Sequence, residues 1–145
     1  MKIYIAENCK DIAQAKSAIL RAYAPHNNCS IKYSATGQPS LCCENEKIAC
    51  ASISHTGNII VMVFSIKPVG VDVERNDRKI SSRLGGISEW TRREAYGKMI
   101  GVGINSEILR SELPDDMLNT FEYSDYIISI CSQERELELI TTIDI

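Results

Sequence analysis

Val69, Val71 and Val73 alternate with Gly70, Asp72 and Glu74. In a strand, side chains at i and i+2 share a face, so the valines take a core and the two carboxylates project together from the other side, about 7 Å apart along the strand. Gly70 would keep that face open beside them. Two like charges this close repel unless water or a cation intervenes. A carboxylate pair can therefore grip a hard cation such as Mg²⁺, which favours oxygen ligands and usually adds phosphate oxygens and water. The same alternation also describes a solvated strand face. Trp90, Glu94 and Lys98 stand at i, i+4 and i+8, one stripe of a helix, and supply a third carboxylate and a cation. Alone, that stripe also reads as a core-anchoring Trp90 beside an exposed Glu94–Lys98 pair of small stabilising value.

Arg92, Arg93 and Lys98 concentrate positive charge on this helix, although the whole chain is acidic. A basic cluster beside carboxylates suits a metal-bound polyphosphate. His55 sits in Ser52-Ile53-Ser54-His55-Thr56-Gly57, between two apolar runs. As a loop, that segment would offer a hydroxyl, an imidazole and backbone amides to an anion; as a plain turn, its polar residues would bond their own backbone. A Ser–His nucleophile is less attractive, because adjacent strand residues point apart and no orienting acid is identifiable.

The elements that must carry these residues are readable from periodicity. Ile3-Tyr4-Ile5 predicts a first strand, and Ile12, Ala15, Ile19 and Tyr23 recur at helical spacing over 10–23, with Pro25 beyond the end. Ile31 and Tyr33 alternate in a short strand that Thr36-Gly37-Gln38-Pro39 breaks. Ile48 to Ile53 predicts another strand after the polar turn at 44–47. Ile59 to Phe64 is a buried-strand run, and the Lys67-Pro68 turn before Val69 suggests that the two runs form a hairpin. Ser88 to Ile100 predicts a helix capped by Ser88 or Thr91 and stopped at Gly101. Strands are expected at 120–123 and 126–131 and in a last segment where Leu137, Leu139, Thr141 and Ile143 share a face. The sum is an α+β domain, mostly antiparallel strands with two main helices against them.

A chain of 145 residues with 44% hydrophobic and 24% charged residues is one domain's worth and can bury a core without staples. Its net charge of −3 lacks the basic excess of a protein that wraps nucleic acid. No stretch reaches the about 20 apolar residues of a membrane span, and the first apolar run is too short for a signal peptide. With six cysteines, no CxxC and two histidines, zinc is poorly supported. A cytoplasmic location with reduced thiols is the expectation, a redox-active Cys42-Cys43 pair being the alternative.

Taken in order, these segments resemble the 4′-phosphopantetheinyl transferase superfamily, especially the type that activates peptide and polyketide synthases. Gly37-Gln38-Pro39 resembles its Gly-Lys-Pro loop, and Ser52–Gly57 resembles its Ser-His-Ser/Thr segment. Gly70-Val71-Asp72-Val73-Glu74 matches its Gly-(Ile/Val)-Asp-(Ile/Val)-Glu strand. Trp90 to Lys98 resembles its Trp-x-x-Lys-Glu-(Ala/Ser)-x-x-Lys helix, and Gly101-Val102-Gly103 resembles the glycine pair that follows. The resemblance spans residues 31–104.

The resemblance implies a shortened pseudo-two-fold fold, a single domain with lobes of about 1–66 and 67–145 and an active site between them. It implies transfer of 4′-phosphopantetheine from coenzyme A to a serine of an acyl or peptidyl carrier protein, releasing adenosine 3′,5′-bisphosphate. By position, Asp72, Glu74 and Glu94 would hold Mg²⁺, or Mn²⁺, against the coenzyme A pyrophosphate. Glu94 would accept the serine proton and Lys98 would neutralise the pyrophosphate, while His55, with Ser54 nearby, would meet the 3′-phosphate. Gly37, Gln38 and Pro39 would line the adenine end, and Arg93 would lie at the phosphates. Arg93 and Gln38 each replace a usual lysine, which changes the geometry of the cations there. Fifteen residues separate Glu74 from Trp90, where larger members carry a carrier-docking insertion. Docking through other surfaces or a second subunit is therefore expected, in a monomer or small homo-oligomer. Other readings are a non-catalytic coenzyme A or carrier-binding module on a degenerate fold, and a Mg²⁺-dependent nucleotide pyrophosphate hydrolase.

Overall fold

The computed structural model describes residues 1–145, the side chain of Leu139 excepted. In chain order the elements are β1 (Lys2–Glu7), α1 (Ile12–Tyr23), β2 (Cys29–Tyr33), β3 (Pro39–Cys43), β4 (Glu46–Thr56), β5 (Ile59–Ser65), β6 (Val69–Arg75), α2 (Gly86–Ile100), α3 (Ser106–Arg110), β7 (Leu118–Tyr123), β8 (Tyr126–Ser132) and β9 (Leu139–Asp144). The fold is α+β, with a six-stranded sheet ordered β2-β3-β4-β5-β1-β9 and a three-stranded sheet ordered β6-β8-β7. The β1–β9 pairing is parallel and the other described pairings are antiparallel. No helix is long and apolar enough to cross a membrane.

Strand periodicity explains the layering. β5 is buried along its whole length. Its Ile59, Val61 and Val63 join Ile3 and Ile5 of β1 against Val69, Val71, Val73, Ile128 and Ile130 of the small sheet. Its Ile60, Met62 and Phe64 face the opposite way, onto Tyr4 and onto Ala15 and Ile19 of α1. The two sheets thus stack face to face, α1 covers the outer face of the large one, and α2 covers the outer face of the small one, where Ala95 and Met99 meet Leu118 and Cys131. α1 begins at Asp11, whose carboxylate accepts from the Ala13 and Gln14 amides. α2 ends on Gly101, which adopts the left-handed conformation that favours glycine.

Several expectations need correction. β5 and β6 do not form a hairpin: β5 pairs with β4 and β1, and β6 pairs with β8. The valine face of β6 has its best burial by stacking on β5, which a flat hairpin would not allow. α2 starts at Gly86 with no side-chain cap, and Thr91 is fully buried, its hydroxyl donating to the Ser88 carbonyl 2.9 Å away instead of capping. β3 was not foreseen, because Pro39 opens it and its small apolar run Leu41-Cys42-Cys43 reads as no period. In the last segment Leu137 precedes β9 and is exposed, Thr141 and Ile143 are half-buried, and the side chain of Leu139 lies outside the described residues.

The cysteines depart from full reduction as well. Cys29 and Cys43 stand directly opposite across β2 and β3 and are joined by a disulfide. Cys42 is free and buried, so the adjacent Cys42-Cys43 pair is not a redox couple: neighbouring strand residues project to opposite faces. Burial pushes the Cys131 thiol up to about 12, which leaves it an inert core residue.

Candidate metal centre and adjoining cleft

The short Gly70 is what lets α2 lie on β6. A Cβ there would fall 2.5 Å from the Met99 nitrogen and closer still to the Ala95 carbonyl oxygen. Gly70 therefore does not keep the face open. It admits the helix backbone, and that contact brings Glu94 over Asp72 and Glu74. Carboxylate oxygens of the three residues lie within 4.8 Å of one another. Asp72 is 2% exposed and Glu74 7%, so the solvated-face alternative does not hold.

β6 is an edge strand of its sheet, and its free edge is satisfied by side chains. Ser52 Oγ accepts from the Val71 amide at 2.9 Å, and Ser54 Oγ accepts from the Val73 amide at 3.2 Å. Ser54 in turn donates to Asp72 Oδ1 at 2.9 Å. Lys98 Nζ donates to the Val71 carbonyl at 3.0 Å and to Asp72 Oδ1 at 2.8 Å. Asp72 Oδ1 is thus fully engaged, whereas Asp72 Oδ2 is buried with no partner among the described residues. Such an orphaned oxygen costs free energy unless something donates to it or coordinates it. Arg78 holds Glu74 Oε1. Burial, reinforced by the adjoining Asp72 carboxylate, pushes the Glu94 carboxyl up to about 7, against partial relief from Lys98 and Arg78.

Three hard oxygen donors, two of them buried, with one oxygen unpartnered, suit a divalent cation of the Mg²⁺ or Mn²⁺ kind and offer nothing to a soft one. Beside them opens a cleft of about 540 Å³ between the 34–39 turn, β4, and the C-terminal end of α2. Lys98 belongs to both, lining the cleft while bonded to Asp72. Lys16, Lys47 and His55 line the cleft too. The Gln38 side chain packs over Gly101, where a Cβ would sit 2.6 Å from its amide, and so docks the turn on the helix end.

No protein-family model matches the chain, and no curated protein matches it in sequence.

The structure brings together most residues that the sequence singled out. Asp72, Glu74, Glu94 and Lys98 form one cluster, and Gly37, Gln38, Pro39 and His55 line the adjoining cleft. His55 is an exposed residue of β4, not of a loop, the turn coming at Gly57. Ser54 does not reach toward a ligand: its hydroxyl is spent on Asp72 and Val73. Arg93 also leaves the expected site. One residue from Glu94 on a helix, it points about 100° away. It donates to the Ile108 and Ser111 carbonyls at 2.7 and 2.9 Å and pairs with Glu89 at 2.8 Å, tethering α3. Arg92 likewise holds Glu89 and Asp115. The helical cations thus divide, and only Lys98 serves the cluster. Lys16 and Lys47 were missed because nothing in their own segments marks them; α1 and β4 bring them to the cleft from distant parts of the chain.

Proposed function

We propose that this protein transfers 4′-phosphopantetheine from coenzyme A to a serine hydroxyl of an acyl or peptidyl carrier protein, with Mg²⁺ or Mn²⁺ held by Asp72, Glu74 and Glu94. The observation that carries the reading is the convergence of these three carboxylates, with Asp72 Oδ2 unpartnered, beside a cleft lined by Lys98 and further cations. The bound cation would neutralise the diphosphate and stabilise charge on the leaving oxygen.

The chain's own residues do the rest. Lys98 Nζ uses two donors on Val71 and Asp72, and its side chain is 31% exposed, so a third donor remains for a diphosphate oxygen. Lys16, Lys47 and His55 give the cleft a local cationic wall suited to the phosphates of a nucleotide, in a chain whose net charge is −3. Glu94, one of the three converging carboxylates, would accept the proton of the serine hydroxyl. The serine oxygen forms a bond to the phosphorus that bears pantetheine, the bond from that phosphorus to the bridging oxygen breaks, adenosine 3′,5′-bisphosphate leaves, and the serine proton passes to Glu94. In-line positioning of the hydroxyl supplies much of the rate.

Incubation with coenzyme A, Mg²⁺ and a panel of apo carrier proteins, followed by carrier mass, tests the reading. A phosphopantetheine adduct on the carrier serine is expected. Cleavage of coenzyme A without an adduct would make the protein a hydrolase, and binding without turnover would make it a degenerate module.

A further inference from the structure

Arg78 reaches the centre from the turn that follows β6. The chain leaves β6 at Arg75 and turns at once, the Arg78 amide donating to the Arg75 carbonyl at 3.1 Å, which folds Arg78 back over the strand. Its guanidinium bonds Glu74 Oε1, its sole ion-pair partner among the described residues. The nearby Asp77 is not a competitor, because Arg75 holds both its oxygens at 2.9 Å. Lys98 engages Asp72 Oδ1 from the cleft side. The carboxylate cluster therefore carries two side-chain cations, one on each strand carboxylate. They differ in attachment: Lys98 is also bonded to a backbone carbonyl, whereas Arg78 is held by Glu74 alone and is 47% exposed.

We propose that Arg78 is an exchangeable counter-ion of the centre: it holds Glu74 while the site is empty, gives up that carboxylate to an arriving divalent cation, and is released onto the diphosphate that the cation brings. The proposal rests on the metal-centre reading above. A carboxylate oxygen bonded by a guanidinium has lost one of its lone-pair positions to it, so Arg78 competes with the metal for Glu74. Once displaced, a planar fork of donors at the rim of the centre is suited to two oxygens of a phosphate group. The same side chain should thus weaken binding of the bare cation and strengthen binding of the cation with a diphosphate. A residue that merely braced the turn at 75–78 would move both in the same direction.

The test titrates metal-free protein with Mn²⁺ alone, following free Mn²⁺ by its electron spin resonance signal, and then titrates inorganic pyrophosphate at saturating Mg²⁺ by calorimetry. The parent chain, Arg78→Gln, Arg78→Lys and Asp72→Asn are compared. Arg78→Gln is expected to bind Mn²⁺ about fivefold more tightly than the parent and pyrophosphate about tenfold more weakly. Arg78→Lys keeps the charge but loses the fork, so its Mn²⁺ affinity should stay near that of the parent while pyrophosphate binding falls part of the way. It also serves if Arg78→Gln fails to fold. Unchanged or weaker Mn²⁺ binding in Arg78→Gln, with Asp72→Asn unable to bind Mn²⁺, overturns the counter-ion role and leaves the metal centre standing. Full Mn²⁺ binding by Asp72→Asn, or none by the parent, overturns both.

Discussion

Glu94 is the residue on which the chemistry and the stability of the centre meet. It comes from α2, whereas Asp72 and Glu74 come from β6, and its half-buried carboxyl titrates near 7 because burial and the neighbouring Asp72 favour the protonated form. An unfolded glutamate titrates near 4.5. The folded value is the higher one, so this group's contribution to stability is fully present below about 4.5 and is lost as pH rises through about 7. Metal-free protein should therefore melt at lower temperature at pH 8 than at pH 5 on account of this residue. Glu94→Gln keeps the shape and cannot ionise, so metal-free Glu94→Gln should melt several degrees above the parent at pH 8 and close to it at pH 4. Metal reverses the sign, since ligation needs the ionised form: Mn²⁺ affinity of the parent should climb as pH passes 7 and then level, and the proposed carrier modification should be abolished in the variant. Scanning calorimetry at the two pH values decides it, and a variant less stable than the parent at pH 8 would refute the account of Glu94.

At the scale of elements, the centre exists because α2 and β6 touch backbone to backbone. Gly70 is the point of contact, and Gly70→Ala puts a methyl group where the Ala95 carbonyl and the Met99 amide already are. The helix must move off the strand, carrying Glu94 and Lys98 away from Asp72. A loss of about 1–3 kcal/mol is expected from overpacking, and even folded protein should lose most of its Mn²⁺ affinity; a fully folded variant with parental affinity would refute the contact. The sequence made much of this legible. The alternation at Val69–Glu74 and the Trp90–Glu94–Lys98 stripe each state which side chains share a face, because periods of 2 and 3.6 are local properties. What lies across an interface is not local. That Gly70 admits a helix, that Ser54 is spent on Asp72, and that Arg93 serves α3 all depend on which surface packs on which. The missing hairpin has the same origin: a turn at Lys67-Pro68 leads into a paired strand or into a second sheet with equal ease, and the burial of β5 on both faces decided for the second.

For the molecule as a whole, the position of the centre follows from the way the two sheets share one core. Ile3, Ile5, Ile59, Val61 and Val63 of the large sheet interlock with Val69, Val71, Val73, Ile128 and Ile130 of the small one. The Ser52 and Ser54 bonds to the β6 amides then stitch the edge of the small sheet to β4. The cleft draws one wall from β4 and the 34–39 turn and the other from the end of α2, so it exists only while the sheets stay stacked. The large sheet has a second core against α1, but the outer face of the small sheet is covered by a single long helix, and its inner face has nothing to bury against but the large sheet. The chain should therefore unfold in one transition. Ile130 is 1% exposed at the centre of the shared core, and Ile130→Ala should cost about 2–5 kcal/mol. It should lower the melting temperature without splitting the transition, and Mn²⁺ binding should vanish at that same temperature although Ile130 touches no ligand. Two resolved calorimetric transitions, or metal binding that survives the loss of the shared core, would show that the small sheet with α2 holds the centre unaided.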